Sequence, residues 1–424
     1  MPGVRCTLSI VSNSASSGTS PERLTLSTAV LLIACVLCAV LDGYDVVVIS
    51  YVVPQLAQEW AEPLAGFGVV FSIGLIGLVL GSLGLAPLAD QYGRRKAMIG
   101  ALVLGAIGTF ANSLVTDMTQ LIVCRFFVGL AMGVIIALVF AVAHEASPPK
   151  RRVLVLAIVG CGLSLGNLAS GLIASFVLSR HGWPLLFLGA SIVNVVIGVL
   201  FFATLRDPPV VKKTVREPYF SRIGSLFGKN LARLTLVLWL LHFGGVGANY
   251  MLISWLPSLL TRSGYATADA ALATSLISLG GLVGGLISGF ALARFGRGWL
   301  MFLYASAVIL IAALPFFLGS SLLYLVNFLI GVCIVGGYIS NSVITSQLYP
   351  ASSRVSGLGW AQGIGRSGSV ITPLIVALAL QWNASLTQIV LIAAVFPLMS
   401  TIAVLLLGKF SVAEQTPGGE PAGQ

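Results

Sequence analysis

The chain alternates between long apolar runs and short polar stretches over almost its whole length. About 20 consecutive apolar residues are enough for an α-helix to cross the hydrocarbon core of a bilayer. The pattern predicts an all-α polytopic membrane protein with twelve transmembrane helices. The predicted spans are 27–52, 66–88, 96–115, 118–143, 153–178, 184–205, 233–258, 270–293, 298–318, 321–346, 354–380 and 385–408.

An internal repeat divides these spans into two sets of six. The stretch GLVLGSLGLAPLADQYGRR (77–95) aligns with GGLVGGLISGFALARFGRG (280–298). Parallel repeats with a binding site between them at mid-membrane are typical of alternating-access transporters. We therefore predict two pseudo-symmetric six-helix bundles joined by a charged linker. The predicted segments are an N-terminal cytoplasmic tail at 1–25, a first bundle at 26–205, a linker at 206–232, a second bundle at 233–410 and a C-terminal cytoplasmic tail at 411–424.

The distribution of charge predicts the orientation of the spans. Only 8% of the residues are charged, whereas soluble chains average about 25%. Nearly all Lys and Arg residues fall in loops on one side; only Arg180 and Arg262 fall on the other side, and Arg125 and Arg366 lie within spans. This positive-inside bias places both termini in the cytoplasm, and it accounts for the basic pI without a nucleic-acid partner. Trp255 is one of six Trp residues near predicted span ends, where an aromatic belt is expected.

Two short motifs raise the question of a metal or a cofactor. CVLC (35–38) has the C-x-x-C form, but it lies in an apolar span without a second pair of ligands. GIGRSG (363–368) matches G-x-G-x-x-G, but no strand precedes it. Small residues for close helix packing explain it better. We therefore predict no metal and no cofactor.

Two carboxylates interrupt the first span. Asp42 and Asp45 are three residues apart, so a helix places them on one face, one turn apart. Mutual repulsion and the low dielectric both favour a proton on at least one of them. Intramembrane ionisable groups usually serve a function, although an inert pair satisfied by neighbouring helices is the alternative. The spacing indicates a proton-coupling site.

Two arginines lie within later spans. Arg125 in span four and Arg366 in span eleven each need an anion, which the acids of span one or a substrate carboxylate would supply. Gln362 shares a helical face with Arg366. Fixed ion pairing or packing between helices is the alternative for both arginines. Further polar candidates for substrate binding are Asn249, Tyr338 and Asn341, for which hydrogen bonding between helices is the alternative.

Several stretches resemble the major facilitator superfamily and, within it, the aromatic acid:proton symporters. APLADQYGRRK (86–96) resembles the superfamily's G-x-x-x-D-R-x-G-R-R loop, with Ala86 and Gln91 as departures. DGYD in span one, RFFVGLAMG in span four, SWLP in span seven and YPASSRVSGLGWAQGIGRSG (349–368) resemble the symporter family. The second copy of the loop has Ala293 where the Asp of the first stands. The resemblance covers almost the whole chain except the tails.

The resemblance implies roles for particular residues. The family's D-G-x-D motif falls on Asp42, Gly43 and Asp45, and implies proton coupling; the family's span-four Arg falls on Arg125. Spans one, four, seven and ten line the cavity in this superfamily. The loop signature implies a cytoplasmic conformational gate. Its candidate residues are Asp90, Arg94 and Arg95, although a plain topogenic cluster would also explain the arginines. Glu145 at the end of span four either joins this gate or caps the nearby basic cluster.

We therefore expect a monomeric, proton-coupled symporter of the bacterial inner membrane that imports a small aromatic carboxylate such as benzoate or 4-hydroxybenzoate. The expected partners are that acid, protons and the lipid bilayer. Three alternatives stay open: a carrier for another organic acid such as muconate or a phenylpropanoid acid, an exporter, and a receptor that binds such acids without moving them. An enzyme is not expected, because three scattered His residues without a nucleophile motif supply no catalytic constellation.

Overall fold

The structure is a computed structural model that describes residues 26–86, 93–148, 151–205, 226–227, 231–350 and 353–408. Twelve long helices account for nearly all of these residues. They are α1 (Leu26–Glu59), α2 (Phe67–Leu80, extended by a π-helical turn at Gly81–Leu85), α3 (Arg94–Asn112), α4 (Met118–Ala146), α5 (Arg152–Val177), α6 (Pro184–Thr204), α7 (Ala232–Arg262), α8 (Thr267–Phe295), α9 (Arg297–Ala313, extended by a 3₁₀ turn at Leu314–Phe317), α10 (Leu322–Leu348), α11 (Arg354–Gln381) and α12 (Leu386–Leu407). The predicted tails and almost all of the predicted linker lie outside the described residues.

The predicted fold class is confirmed, since each predicted span corresponds to one helix. Among the described residues, eleven helices are long and apolar enough to cross a bilayer by themselves. The remaining helix, α3, begins with Arg94, Arg95 and Lys96, which lower its mean hydropathy. Continuous helices suit this environment because every backbone polar group in lipid must be satisfied internally.

Helix starts follow local sequence rules, and one of them repeats between the bundles. Gly93 and Gly296, which the repeat aligns, precede α3 and α9 with φ values of 97° and 54°. Glycine adopts such positive φ values without steric cost. The Asp117 side chain accepts a hydrogen bond from the Gln120 amide at the start of α4 (2.9 Å), which satisfies an otherwise free amide of the first turn.

Glycines allow the helices of each bundle to approach closely. A Cβ at Gly43 of α1 would overlap the carbonyl oxygen of Leu163 on α5. Gly166 of α5 makes the reciprocal approach to Val40 of α1. Small residues at helix interfaces are the usual route to tight packing in lipid, where burial of apolar surface contributes little between helices.

This packing predicts that Gly43→Ala is destabilising. The added methyl meets backbone that cannot rotate away, and overpacking costs about 1–3 kcal/mol. Detergent-solubilised protein should therefore show a lower melting temperature than wild type. Gly160→Ala on α5 is the matched control, because no atom of the described residues lies within 4 Å of a Cβ at Gly160. Equal melting temperatures for both variants would contradict the packing argument.

The two bundles touch mainly at one end. We call the end that holds Glu59 and Arg180 the outer end, and the end that holds Arg94 and Arg354 the inner end. Near the outer end, Ser72 of α2 donates a hydrogen bond to the Val370 carbonyl oxygen of α11 (2.7 Å). Towards the inner end, α11 exposes Gln362, Gly363 and Arg366. The space between the bundles therefore opens towards the inner end.

Candidate functional site

The two acids of α1 lie in the middle of the helix, and the residues around them fix their direction. Gly43 packs against α5, while the Tyr44 hydroxyl donates to the Leu186 carbonyl oxygen of α6 (3.1 Å). Asp42 and Asp45 are 4% and 2% exposed. The two residues between the acids thus anchor α1 to its own bundle.

Asp45 meets Arg125 of α4 inside the first bundle. The Arg125 guanidinium donates from Nη2 to the backbone carbonyl oxygen of Asp45 (2.9 Å). Both carboxylate oxygens of Asp45 and the Nε and Nη1 of Arg125 are buried without a hydrogen-bond partner in the described part of the chain. The guanidinium lies against Gly74 of α2, about where a side chain would otherwise stand. The positive charge of Arg125 therefore lies beside Asp45, while its Nε and Nη1 groups have no hydrogen-bond acceptor among the described residues.

Asp42 faces the second bundle. The guanidinium of Arg366 on α11 interacts electrostatically with the Asp42 carboxylate. The phenols of Tyr250 on α7 and Tyr338 on α10 lie in the field of the same guanidinium. No Lys or Arg nitrogen lies within 4 Å of an Asp42 oxygen among the described residues. The positive charge of Arg366 therefore acts on Asp42, but the two side chains do not form an ion pair in the described part of the chain.

A cleft lies between the bundles beside Asp45 and Arg125. Asp45, Arg125, Tyr250 and Ser254 provide its polar lining. Its apolar lining comes from Val46, Ile49, Phe71, Leu75, Leu78, Val128 and Met132. A small ligand with one polar end and one apolar body suits such a lining.

The other predicted substrate residues differ in position. The Gln362 amide donates to the Ser342 hydroxyl (3.2 Å) and is exposed beside Arg366. Asn249 is buried next to Tyr250, and its Oδ1 has no hydrogen-bond partner in the described residues. Asn341 instead donates to the Leu241 carbonyl oxygen (3.2 Å) and to the Tyr304 hydroxyl (2.9 Å). Asn341 therefore lies inside the second bundle, where hydrogen bonding between helices accounts for it.

The predicted gate residues are only partly brought together. Arg94 at the start of α3 forms an ion pair with Glu145 at the end of α4. Arg95 turns towards α6, where its guanidinium donates to the Phe202 carbonyl oxygen (2.8 Å) and lies over the Phe202 ring. Asp90 lies outside the described residues.

Sequence reasoning missed the contact that closes the outer end. Trp255 is 1% exposed. It meets the Phe71 ring edge-on at 5.2 Å between centroids and donates from Nε1 to the Pro373 carbonyl oxygen (3.2 Å). The expectation that Trp255 belongs to an aromatic belt is therefore wrong. The helix α7 continues past Trp255 and Pro257 to Arg262, which puts the indole between the bundles.

Comparison with known proteins yields one family and many relatives. A sequence model described as Major Facilitator Superfamily matches residues 35–373. The 4-hydroxybenzoate transporter PcaK of Pseudomonas aeruginosa is 29% identical, over 91% of this chain and 93% of that protein. A gallate transporter of Pseudomonas putida is 27% identical, over 89% of this chain and 91% of that protein. A solved bacterial homologue of the human lysosomal transporter Spinster, inward-facing and unoccupied, covers 90% of this chain and 97% of its own at 16% identity, with a TM-score of 0.74.

Proposed function

Because this chain belongs to the Major Facilitator Superfamily, we propose that it is a proton-coupled symporter that imports a small aromatic carboxylate. The family resemblance expected from the sequence is confirmed. The chain is a multi-pass membrane transporter, not an enzyme. The relatives are named for 4-hydroxybenzoate and gallate, and both are ring carboxylates. They support a small organic acid as substrate, with benzoate and 4-hydroxybenzoate as the first choices.

One observation carries the proposal: the Arg366 guanidinium of the second bundle interacts electrostatically with the Asp42 carboxylate of the first. Arginine binds a carboxylate through two parallel hydrogen bonds. A substrate anion on Arg366 would compete with Asp42 for the same guanidinium. The anion and a proton on Asp42 therefore favour each other's binding, and such a coupling free energy is what symport requires.

The same geometry suggests a transport cycle. In the outward-open state, protons on the Asp42–Asp45 pair and an anion on Arg366 neutralise the site together. After the outer end closes, the anion leaves through the inner opening, Arg366 turns back to Asp42, and the proton follows. Arg125 stays in the first bundle throughout, where it limits the repulsion between the two carboxylates. Tyr250, Tyr338, Gln362 and Asn249 are the proposed polar and aromatic surroundings of the ring.

We place the transporter in the bacterial inner membrane as a monomer with both termini in the cytoplasm. The positive-inside bias supports this orientation. The inner end then faces the cytoplasm, and the structure represents an inward-facing state. The Arg94–Glu145 ion pair lies at that end, where it would stabilise one arrangement of α3 against α4 during the cycle.

Uptake by proteoliposomes tests the function. Labelled benzoate and 4-hydroxybenzoate should accumulate when the outside is acidified and should only equilibrate without a gradient. Counterflow of labelled substrate separates a carrier from a receptor, because a receptor binds without moving its ligand. Accumulation that is indifferent to the gradient would refute proton symport, and neither uptake nor counterflow of any ring acid would refute the substrate class.

The closure at the outer end makes a separate prediction. Trp255→Ala removes a contact between the bundles at the closed outer end, and losing a buried Trp costs about 3–5 kcal/mol. The equilibrium should shift towards the outward-open state. In a background without native cysteines, a cysteine at Ser72, which is 2% exposed here, should react faster with a membrane-impermeant maleimide.

Trp299→Ala is the control for that experiment. The Trp299 indole bonds Ser288 (3.1 Å) and stacks on Phe302, all within the second bundle. Its loss should leave the labelling rate at Ser72 unchanged. A labelling rate that does not respond to Trp255→Ala would show that this indole does not hold the outer end closed.

A further inference from the structure

Three buried polar side chains lie on helices α3 and α6, which do not line the cleft. Thr109 and Asn112 belong to α3 and Asn194 to α6, and each is at most 1% exposed. The Thr109 hydroxyl and both amide atoms of each Asn have no hydrogen-bond partner in the described residues. Buried polar atoms normally have a protein or water partner, so this group needs an explanation.

The three side chains lie along the contact between α3 and α6, which we call the seam. Gly105, Thr109 and Asn112 follow each other at spacings of four and three residues, which places them along one face of α3. A Cβ at Gly105 would come within 2.9 Å of the Asn194 Nδ2. Because Gly105 has no side chain, the Asn194 amide of α6 fits against the face of α3 that carries Thr109 and Asn112.

The seam reaches Asp45. The Thr109 hydroxyl lies close enough to interact with the Asp45 carboxylate, although the two do not complete a hydrogen bond in this conformation. Asp42 and Arg125 are the charged groups that interact with Asp45. The hydrogen bond from Arg125 goes to the Asp45 backbone carbonyl oxygen rather than to its carboxylate. An ionised carboxylate this deeply buried is costly unless donors satisfy it.

We infer that Thr109 is a positioning residue for Asp45, and that Asn112 and Asn194 bind water behind it. When Asp45 releases its proton to the cleft, the Thr109 hydroxyl donates to the carboxylate. The two amides provide the several polar partners that a buried water needs. The inference rests on the proposed proton-coupling role of Asp45. It assigns Thr109, Asn112 and Asn194 the role of stabilising the deprotonated Asp45 carboxylate.

Thr109→Val tests the inference, because valine keeps the shape and removes the hydroxyl. We expect gradient-driven uptake to fall about tenfold, the order of a lost hydrogen bond to a charged group. Counterflow at equal pH should stay within about twofold of wild type, since exchange does not require the proton to leave the carrier. Thr109→Ser restores the donor and should restore uptake. Thr372→Val on α11 is the matched control. Thr372 is equally buried and has no hydrogen-bond partner among the described residues, but it belongs to the other bundle.

The outcomes separate the possible explanations. Uptake by Thr109→Val near the wild-type rate, or equal loss of uptake and counterflow in folded protein, would overturn the positioning role. Failure of Thr109→Ser to restore uptake would do the same. Thr109→Ala replaces Thr109→Val if the latter does not fold, with the same expectations. If wild type itself shows no gradient-driven uptake, the proposed symport fails, and this result is distinct from any result on Thr109.

Discussion

Asp45→Asn and Asp42→Asn should each abolish proton-driven accumulation of benzoate or 4-hydroxybenzoate. With one proton per anion, an inward gradient of one pH unit, worth about 1.36 kcal/mol, supports at most about tenfold accumulation. An uncoupled carrier reaches a ratio of about one instead. The amide keeps the size of the carboxylate but neither takes up nor releases a proton, so the pH gradient cannot drive accumulation. The measurement is the steady-state ratio of labelled acid inside and outside proteoliposomes.

Counterflow distinguishes loss of coupling from loss of binding. Asp45→Asn should keep counterflow, because Asp45 faces Arg125 within its own bundle and an amide resembles the protonated acid. Glu59→Gln is the control: Glu59 lies at the outer end of the same helix and accepts a hydrogen bond from the Trp183 indole (2.9 Å). Its accumulation ratio should match wild type. Full accumulation by both Asp variants would make the DGYD motif structural.

The sequence predicts the fold well because hydrophobic patterning decides which segments enter a membrane. The acids and arginines were predictable for the same reason, since a charge within an apolar span stands out and usually serves a function. Asp42, Asp45 and Arg125 all lie at the level of the opening between the bundles, as the helical spacing indicates. Local sequence thus predicts the helices and which of them carry charge at mid-membrane.

Contacts between distant helices were not predictable. Asp42 and Arg366 interact because of the way in which the two bundles pack. The spacing of residues along a single helix contains no information about that packing. Trp255 was predicted to be a belt residue because it lies near a predicted span end. A Trp at such a position can lie either at the membrane surface or, as here, buried in the contact between the bundles. Asn341 shares a stripe with Tyr338 in the sequence, yet one turns to Tyr304 and the other towards Arg366. Rotation of α10 about its axis decides between these outcomes.

Asn112 and Thr109 illustrate a second limit on what the sequence alone can predict. Polar residues at a spacing of three in an apolar span are a readable signal, but Thr and Asn occur in membrane helices for packing as well as for function. Only the position of the α3 stripe beside Asp45 singles these two out. A search for polar residues at helical spacing in spans adjacent to the acidic one would have found them.

Arg366→Gln should weaken substrate binding by about 10- to 100-fold, because hydrogen bonds to charged groups contribute about 1.5–3 kcal/mol. The guanidinium is the only cation of the second bundle that the described residues place beside Asp42, and a glutamine keeps polarity while removing the charge. Arg366→Lys should recover little, since an ammonium does not reproduce the two-pronged geometry. The measurement is the Kd for benzoate by scintillation proximity binding to detergent-solubilised protein.

The comparison of two ligands shows whether the carboxylate is the group that Arg366 binds. Benzamide has the same ring without the negative charge, so its weak binding should be insensitive to Arg366→Gln. Arg180→Gln is the control for loss of positive charge: Arg180 lies at the outer end over the Phe176 ring, away from the cleft. Its Kd for benzoate should equal that of wild type. If Arg366→Gln binds benzoate as tightly as wild type does, the anion site lies elsewhere. Arg125 becomes the residue to replace next, since it lines the cleft and two of its nitrogens have no hydrogen-bond partner among the described residues.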